Sequence, residues 1–282
     1  PLEPADPAGA TPAAAPAGGG EAGGGVPDES ALQEAEVIRS VERLYGWKYP
    51  REALTKVPAK LSVTEASKLL APPEDDEASS LFEPPMRRLL KPVGRVGAGV
   101  SAAETGSATH LLLARLDLGR APSRESLEEE LEKLVGQGLV RPEAAAAVDL
   151  GAVIRFLESP AGKRLRRAAA AGPTGGWARR ELAFTMAVPA ASVYSELEEG
   201  AFFDGEIVVQ GTIDALVKDD EGLLLIDFKT DRLRPGEEER AASAYVKQVE
   251  LYAQFVRTLE PAAHLEALLY FLETGRELSV PV

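Results

Sequence analysis

Leu223, Leu224, Leu225 and Ile226 form an unbroken apolar run that ends on Asp227. A short run of this kind, bounded by a turn signal, is the mark of a buried strand. It sits in a stretch of strand-like segments rich in branched and aromatic residues: RELAFTMAVP from residue 180, GEIVVQGTIDALV from 205, GLLLIDFKT from 222 and LEALLYFL from 265. Asp219-Asp220-Glu221-Gly222 has the composition of a hairpin turn. AASAYVKQVELYAQFVRTL, between the last two segments, has helical character. The order is therefore β-β-β-α-β, preceded by helices, and the expected fold is α/β: a mixed central sheet flanked by helices, with a mainly helical N-terminal portion.

The earlier part of the chain divides by composition. Residues 1–30 are mostly Pro, Gly and Ala with no Lys, Arg or aromatic residue. Such a segment buries too little apolar surface to offset its ordering entropy and reads as a disordered linker. Residues 31–46 carry Val37, Val41 and Leu44 at helical spacing. WKYPREALTKVPAK reads as extended chain, because Pro50 and Pro58 disfavour helix before them. Ser62-Val-Thr-Glu65 fits a capping box opening a short helix, and PPEDDEASSLFEPP reads as loop. Residues 101–118 are expected to be helical. A second capping box is expected at Ser126–Glu129, a helix starting at Pro142 is expected to continue through Ser159, and residues 160–170 form a basic helical stretch.

Composition removes several function classes. Among 282 residues there is no cysteine, which excludes disulfides, thiolate zinc sites and iron–sulfur clusters. No apolar run reaches membrane-spanning length and no signal peptide opens the chain, so a cytoplasmic protein with no membrane association is expected. No G-x-x-x-x-G-K-[ST] occurs, so no ATP site is expected in this chain. The net charge of -14 argues against a sequence-independent DNA coat but suits a site that holds divalent cations.

Side chains alternate along a strand, so Asp227 and Lys229 project to one side with Phe228 opposite. Asp214 ends the preceding strand, and antiparallel pairing brings it towards Asp227. Two neighbouring carboxylates repel, and a buried one is costly, unless a hard divalent cation joins them. Such an ion acidifies a water and stabilises charge on a phosphodiester. An acid-x-Lys pair is also common on solvated strand faces; the apolar run before Asp227 sets this one apart.

Several pieces in this order and spacing, AKLSVTEASKL, GSATHLLLARL, RELAF, QGTIDALV, LLLIDFKTD and YVKQVELYAQF, resemble the RecB-type nuclease domain of the PD-(D/E)XK superfamily. Within it they are most similar to the C-terminal nuclease domain of AddA-type subunits of AddAB helicase–nucleases. The resemblance spans residues 31–282. It implies Asp214, Asp227 and Lys229 as catalytic residues, with a metal held by His110, Asp214, Asp227 and the backbone carbonyl of Phe228. The ion implied is Mg²⁺, and the imidazole ligand leaves room for Mn²⁺. Gln248 and Tyr252 match the family's Q-x-x-x-Y motif, and four-residue spacing puts them on one helix face near Tyr245. These three are expected to bind DNA or support the site. Glu181 is either a further acidic group near the site or a surface charge; His264 is expected to be structural.

The implied function is metal-dependent DNA exonuclease action in recombinational double-strand-break repair. The implied partners are DNA and an AddB-like nuclease subunit. The alternative is a catalytically silent nuclease-like DNA-binding or scaffold module. The implied layout is a linker over 1–30, the tail of a helicase region over 31–60 and the nuclease domain over 61–282. The start at Pro1 agrees with a piece of a longer protein. Arg155, Lys163, Arg164, Arg166, Arg167, Arg179 and Arg180 make one basic group and Arg87, Arg88, Lys91 and Arg95 a second. Either a solvated face or a phosphate-contacting strip accounts for such groups, and Arg166 and Arg167 are the expected DNA contacts.

Overall fold

The computed structural model describes residues 29–47, 58–70, 100–171, 175–194 and 205–282. Most of the expected linker, the extended segment before Pro58, the loop from Pro72 to Pro85 and the second basic group lie outside the described residues. The chain divides into two units, residues 1–57 and 58–282. The first contains α1 (Glu29–Tyr45), on which Val37, Val41 and Leu44 are exposed.

The second unit holds a mixed sheet of six strands, β1 (Lys60–Ser62), β2 (Trp177–Pro189), β3 (Glu206–Asp219), β4 (Gly222–Lys229), β5 (Leu265–Phe271) and β6 (Arg276–Ser279). The backbone order is β1-β3-β4-β5-β6, and β2 also pairs with β3. β1 with β3 and β4 with β5 are parallel; β2 with β3, β3 with β4 and β5 with β6 are antiparallel. The expected α/β fold with a mixed, helix-flanked sheet is the observed one. β1 and β6 are additions, three and four residues long, too short to show alternation in sequence.

Helices cover both faces. On one lie α3 (Ala102–Arg115), α4 (Arg124–Gly136), α5 (Pro142–Ala146), α6 (Leu150–Glu158) and α7 (Pro160–Ala170), packed with Leu224, Ile226, Phe228 and Tyr270 of the sheet. On the other lie α2 (Val63–Leu70) and α9 (Val246–Leu259), packed with Leu223, Leu225, Leu269 and Phe271. A short α8 (Glu238–Ser243) precedes α9. β4 is thus buried on both faces, which is why its sequence is continuously apolar. The hairpin forms as expected: Asp219 pairs with Gly222, whose φ of 121° favours glycine.

The first capping box is present: the Glu65 N–H donates to Ser62 Oγ at 3.2 Å and the Ser62 N–H to Glu65 Oε2 at 2.8 Å. The second lies three residues earlier than expected. Ser123 is the N-cap of α4 and Ser126 reciprocates from the third position, so Ser126 closes the box instead of opening it. The helix expected from Pro142 to Ser159 breaks in two, because Asp149 caps α6 by accepting the Ala152 N–H at 3.0 Å.

Candidate active site

One edge of β3 pairs with β2 along almost its full length. The other pairs with β1 over Val208–Gln210 and with β4 over Ala215–Asp219. Residues 211–214 on that edge face the gap between β1 and β4. Asp214 lies in this gap, within the fourteen-residue strand and not at its end as the sequence suggested. The β3–β4 ladder stops at Ala215 opposite Ile226, so Asp214 and Asp227 are the next pair, one step past the last rung.

Asp214 takes over where the ladder stops. Its Oδ2 accepts the Phe228 N–H at 2.7 Å, and its Oδ1 lies 3.2 Å from His110 Nδ1 on α3. Phe228 fixes the backbone between Asp227 and Lys229. Its ring packs edge-on against Phe156 at 4.7 Å, and Phe156 packs on Tyr270 at 4.8 Å. Asp227 and Lys229 turn to the α9 side, with their charged ends 2.7 Å apart (Oδ2 to Nζ). Lys229 Nζ donates to Gln248 Oε1 at 3.2 Å, and Gln248 Nε2 donates to the Tyr252 hydroxyl at 2.8 Å. The Tyr245 ring lies under the ammonium, its centroid 3.8 Å away.

Glu181 completes the cluster, and the sequence had left its role open. Its φ is +49°, a left-handed conformation costly for a side-chain-bearing residue inside a strand. Here strand alternation reverses on both β2 and β3. Phe184, Met186, Ile207, Val209 and Ile213 pack in the α9 layer, whereas Ala178, Ala215 and Val217 pack in the α3 layer. The reversal falls on Glu181 and Asp214, which share a register position between the Arg180–Ala215 and Leu182–Ile213 pairs. Ligating atoms of His110, Glu181 and Asp214 all lie within 4.8 Å of one another. No residue pattern marks a left-handed Glu, so this position was not legible in advance.

The electrostatics follow from crowding three acids in a partly dry site. Burial pushes the Asp227 carboxyl above its usual range, and Asp214 adds to this against the pull of Lys229. Burial and the Asp214 charge likewise raise Glu181. Burial opposes ionisation of Asp214 too, but His110, Lys229 and the Phe228 N–H outweigh it and hold that carboxyl low. Burial disfavours a charged His110, yet the Asp214 carboxylate raises it overall.

The donor set fits a hard divalent cation: the carboxylates of Glu181 and Asp214 and the His110 imidazole cluster together, and Asp227 lies one step past the last rung of the β3–β4 ladder, beside Asp214. Among the described residues Asp227 Oδ2 is buried with no hydrogen-bond partner, because its close contact with Lys229 lacks hydrogen-bond geometry. An orphaned carboxylate oxygen at the mouth of such a cluster is what a cation satisfies. A cleft of about 700 Å³ opens beside it, lined by Gly106, His110, Leu139, Arg141, Glu181 and Thr230.

Within the basic group, the helix-borne Arg164, Arg166 and Arg167 are held by partners outside this cluster. Arg166 donates to the carbonyls of Leu118 and Arg120, and Arg167 pairs with Glu221 in the β3–β4 turn. From Glu221 to Asp227 is six residues of strand, about 20 Å at ~3.3 Å per residue. Arg164 is buried in a bidentate pair with Asp219, and Arg180 caps α3 through the carbonyls of Leu113 and Leu116. His264 is exposed beside Glu266, away from the site.

The PD-(D/E)XK nuclease superfamily model matches residues 86–280. The chain belongs to the PD-(D/E)XK nuclease superfamily. Nucleases of this superfamily use divalent metals. Asp227-Phe228-Lys229 follows the (D/E)-x-K half of the pattern in its name, while Ile213 stands before Asp214 where the other half has Pro. The chain is similar to the A subunit of the ATP-dependent helicase/nuclease of Moorella thermoacetica, at 37% identity over 86% of this chain and 16% of that protein. It is similar to the same subunit of Desulforamulus reducens, at 32% identity over 89% of this chain and 19% of the relative. The corresponding protein of Pelotomaculum thermopropionicum is 36% identical over 82% and 18%. The chain thus spans less than a fifth of the length of these relatives. Among the described residues, no helix is long and apolar enough to cross a membrane.

Proposed function

We propose that this superfamily domain is the DNA exonuclease of an AddA-type helicase–nuclease subunit, hydrolysing phosphodiesters in recombinational double-strand-break repair. The observation that carries the reading is Asp214 and Asp227 facing one gap past the end of the β3–β4 ladder, with Lys229 beside them and an unsatisfied oxygen on Asp227. His110, Asp214, Asp227 and the Phe228 carbonyl would hold Mg²⁺ or Mn²⁺, and Glu181, whose carboxylate clusters with His110 and Asp214, would share it. When bound, the ion supplies Lewis-acid stabilisation and lowers the pKa of water.

The chain's own residues do the rest. Asp214 orients the His110 imidazole and ties it to the Phe228 backbone. Lys229 brings a fixed positive charge to the developing charge on the scissile phosphate; groups of this kind are worth ~10²–10³ in rate. Gln248 anchors Lys229, and Tyr252 anchors Gln248. For DNA contact the favoured cations are Arg115, at the end of α3, with Arg232 and Arg234 in the loop after Lys229. Their guanidinium groups make no ion pair among the described residues, although the Arg234 backbone N–H donates to Glu237, and Arg115 acts electrostatically on Glu181. Arg166 and Arg167 are already engaged by the fold. A helicase part, an AddB-like partner and a linker ahead of α1 belong to the same reading. Cleavage of an end-labelled single-stranded oligonucleotide in Mg²⁺, lost on chelation, is the test.

A further inference from the structure

Lys229 ends a strand as a long, flexible ammonium beside an acid, and a site of this kind works only if the charge is held in one place. A lysine side chain carries high rotamer entropy, so its position must come from its partners. Three groups surround Nζ: the Asp227 carboxylate at 2.7 Å, the Gln248 amide oxygen at 3.2 Å and the face of Tyr245 at 3.8 Å. The contact with Asp227 lacks hydrogen-bond geometry, so directional anchoring comes from Gln248 and the ring.

Tyr245, Gln248 and Tyr252 occupy positions i, i+3 and i+7 at the start of and along α9, one continuous face towards Lys229. Tyr245 is itself pinned. It is 8% exposed, and its hydroxyl donates to Asp231 Oδ2 at 2.9 Å. Asp231 lies two residues beyond Lys229, so this bond ties the start of α9 back to the loop that leaves the catalytic strand. A ring held at one end by packing and at the other by a charged acceptor presents a fixed negative face to the ammonium.

We propose that Tyr245, locked by Asp231, is a positioning residue that holds the Lys229 side chain through its ring face, so that Nζ stays in one place between the ring and Gln248 and out of hydrogen-bond alignment with Asp227. This rests on the role given to Lys229 above. The ring, not the hydroxyl, makes the contact with Nζ; the hydroxyl only sets where the ring lies. Tyr245→Phe therefore keeps most of the function, Tyr245→Leu loses it, and Asp231→Ala falls between them.

The experiment uses the whole chain with its lysine ε-carbons labelled with ¹³C, the Lys229 signal being identified by its loss in Lys229→Arg. A methylene over an aromatic face resonates upfield of solvated lysines. The expected result without metal is an upfield Lys229 ε-methylene in the native protein and in Tyr245→Phe, a smaller upfield shift in Asp231→Ala and none in Tyr245→Leu. Single-turnover cleavage of a single-stranded oligonucleotide in Mg²⁺ should fall about tenfold in Tyr245→Leu and by no more than about threefold in Tyr245→Phe, the size expected for a desolvated cation–π contact. Oligonucleotide affinity in Ca²⁺ should be unchanged in both. A Lys229 signal unmoved by Tyr245→Leu, or a Tyr245→Phe as slow as Tyr245→Leu, overturns the proposal. The spectra need no turnover. A native protein that cleaves nothing therefore counts against the nuclease reading, while the signals still decide the Tyr245–Lys229 contact.

Discussion

The Asp214 carboxylate accepts the backbone N–H of Phe228 at 2.7 Å, replacing the rung that the β3–β4 ladder would have had at this point. One side chain therefore closes the sheet and faces the gap where the charged cluster forms. The two roles separate by substitution. Asp214→Asn keeps an acceptor for Phe228; Asp214→Ala leaves a buried N–H unpaired, a cost of about 1–3 kcal/mol. Chemical denaturation of the metal-free protein should show Asp214→Ala less stable than Asp214→Asn by about 1 kcal/mol, with cleavage abolished in both. Equal stabilities would mean that the Phe228 N–H finds another partner.

His110 gives the metal-free protein a pH dependence of definite sign. Burial lowers its pKa, but Asp214 outweighs burial and raises it above the ordinary 6.5. A raised pKa means the folded state binds the proton more tightly than the unfolded chain. The stabilisation is thus complete below about pH 6.5 and is lost as pH rises through the folded value. Unfolding in chelator should become easier from about pH 6.5 upward, and His110→Ala should flatten that part of the curve. A native profile that His110→Ala leaves unaltered would contradict the His110–Asp214 coupling.

Glu181 stores strain where the strands reverse their faces. Its left-handed φ of +49° costs about 1–3 kcal/mol. Glu181→Gly removes the side-chain penalty and one of three crowded acids. Thermal unfolding without metal should shift upward, while Mn²⁺ affinity, measured by calorimetry, should fall. A variant both less stable and unchanged in Mn²⁺ binding would mean that the conformation serves packing alone.

The arginines divide by whether the fold already uses them. Removing one phosphate contact should lower the slope of log affinity against log salt by about 0.7 for a single strand. Arg232→Ala with Arg234→Ala should flatten the slope for an oligonucleotide bound in Ca²⁺. Arg166→Ala with Arg167→Ala should leave it unchanged, because those side chains serve the Leu118 and Arg120 carbonyls and Glu221. The reverse pattern would restore the basic helix as the DNA contact.

What the sequence revealed and what it hid differ by range. The apolar run of β4, the Asp219–Gly222 turn and the Gln248–Tyr252 spacing are local signals, and each is present in the fold. Asp214 was placed at a strand end because nothing local shows that β3 continues beyond β4 to pair with β1. The break at Asp149 was missed because alanines on either side favour helix and only the side-chain cap decides it. The partners of the basic helix, Asp219 for Arg164 and Glu221 for Arg167, were not legible because they are more than fifty residues away. Glu181 was undecidable, since its placement depends on a backbone reversal shared by two strands.

The central claim is that Asp214, Asp227 and Lys229 form a cation-dependent phosphodiester-cleaving site, and Asp227→Asn tests it most directly. The substitution keeps the shape and removes the charge; because it also leaves the Lys229 ammonium without its carboxylate, the folded state of the variant is checked by its unfolding transition before cleavage is compared. End-labelled single-stranded DNA should be degraded by the native chain in Mg²⁺, not after chelation, and not by the folded Asp227→Asn variant. Degradation by that variant at the native rate would contradict the account.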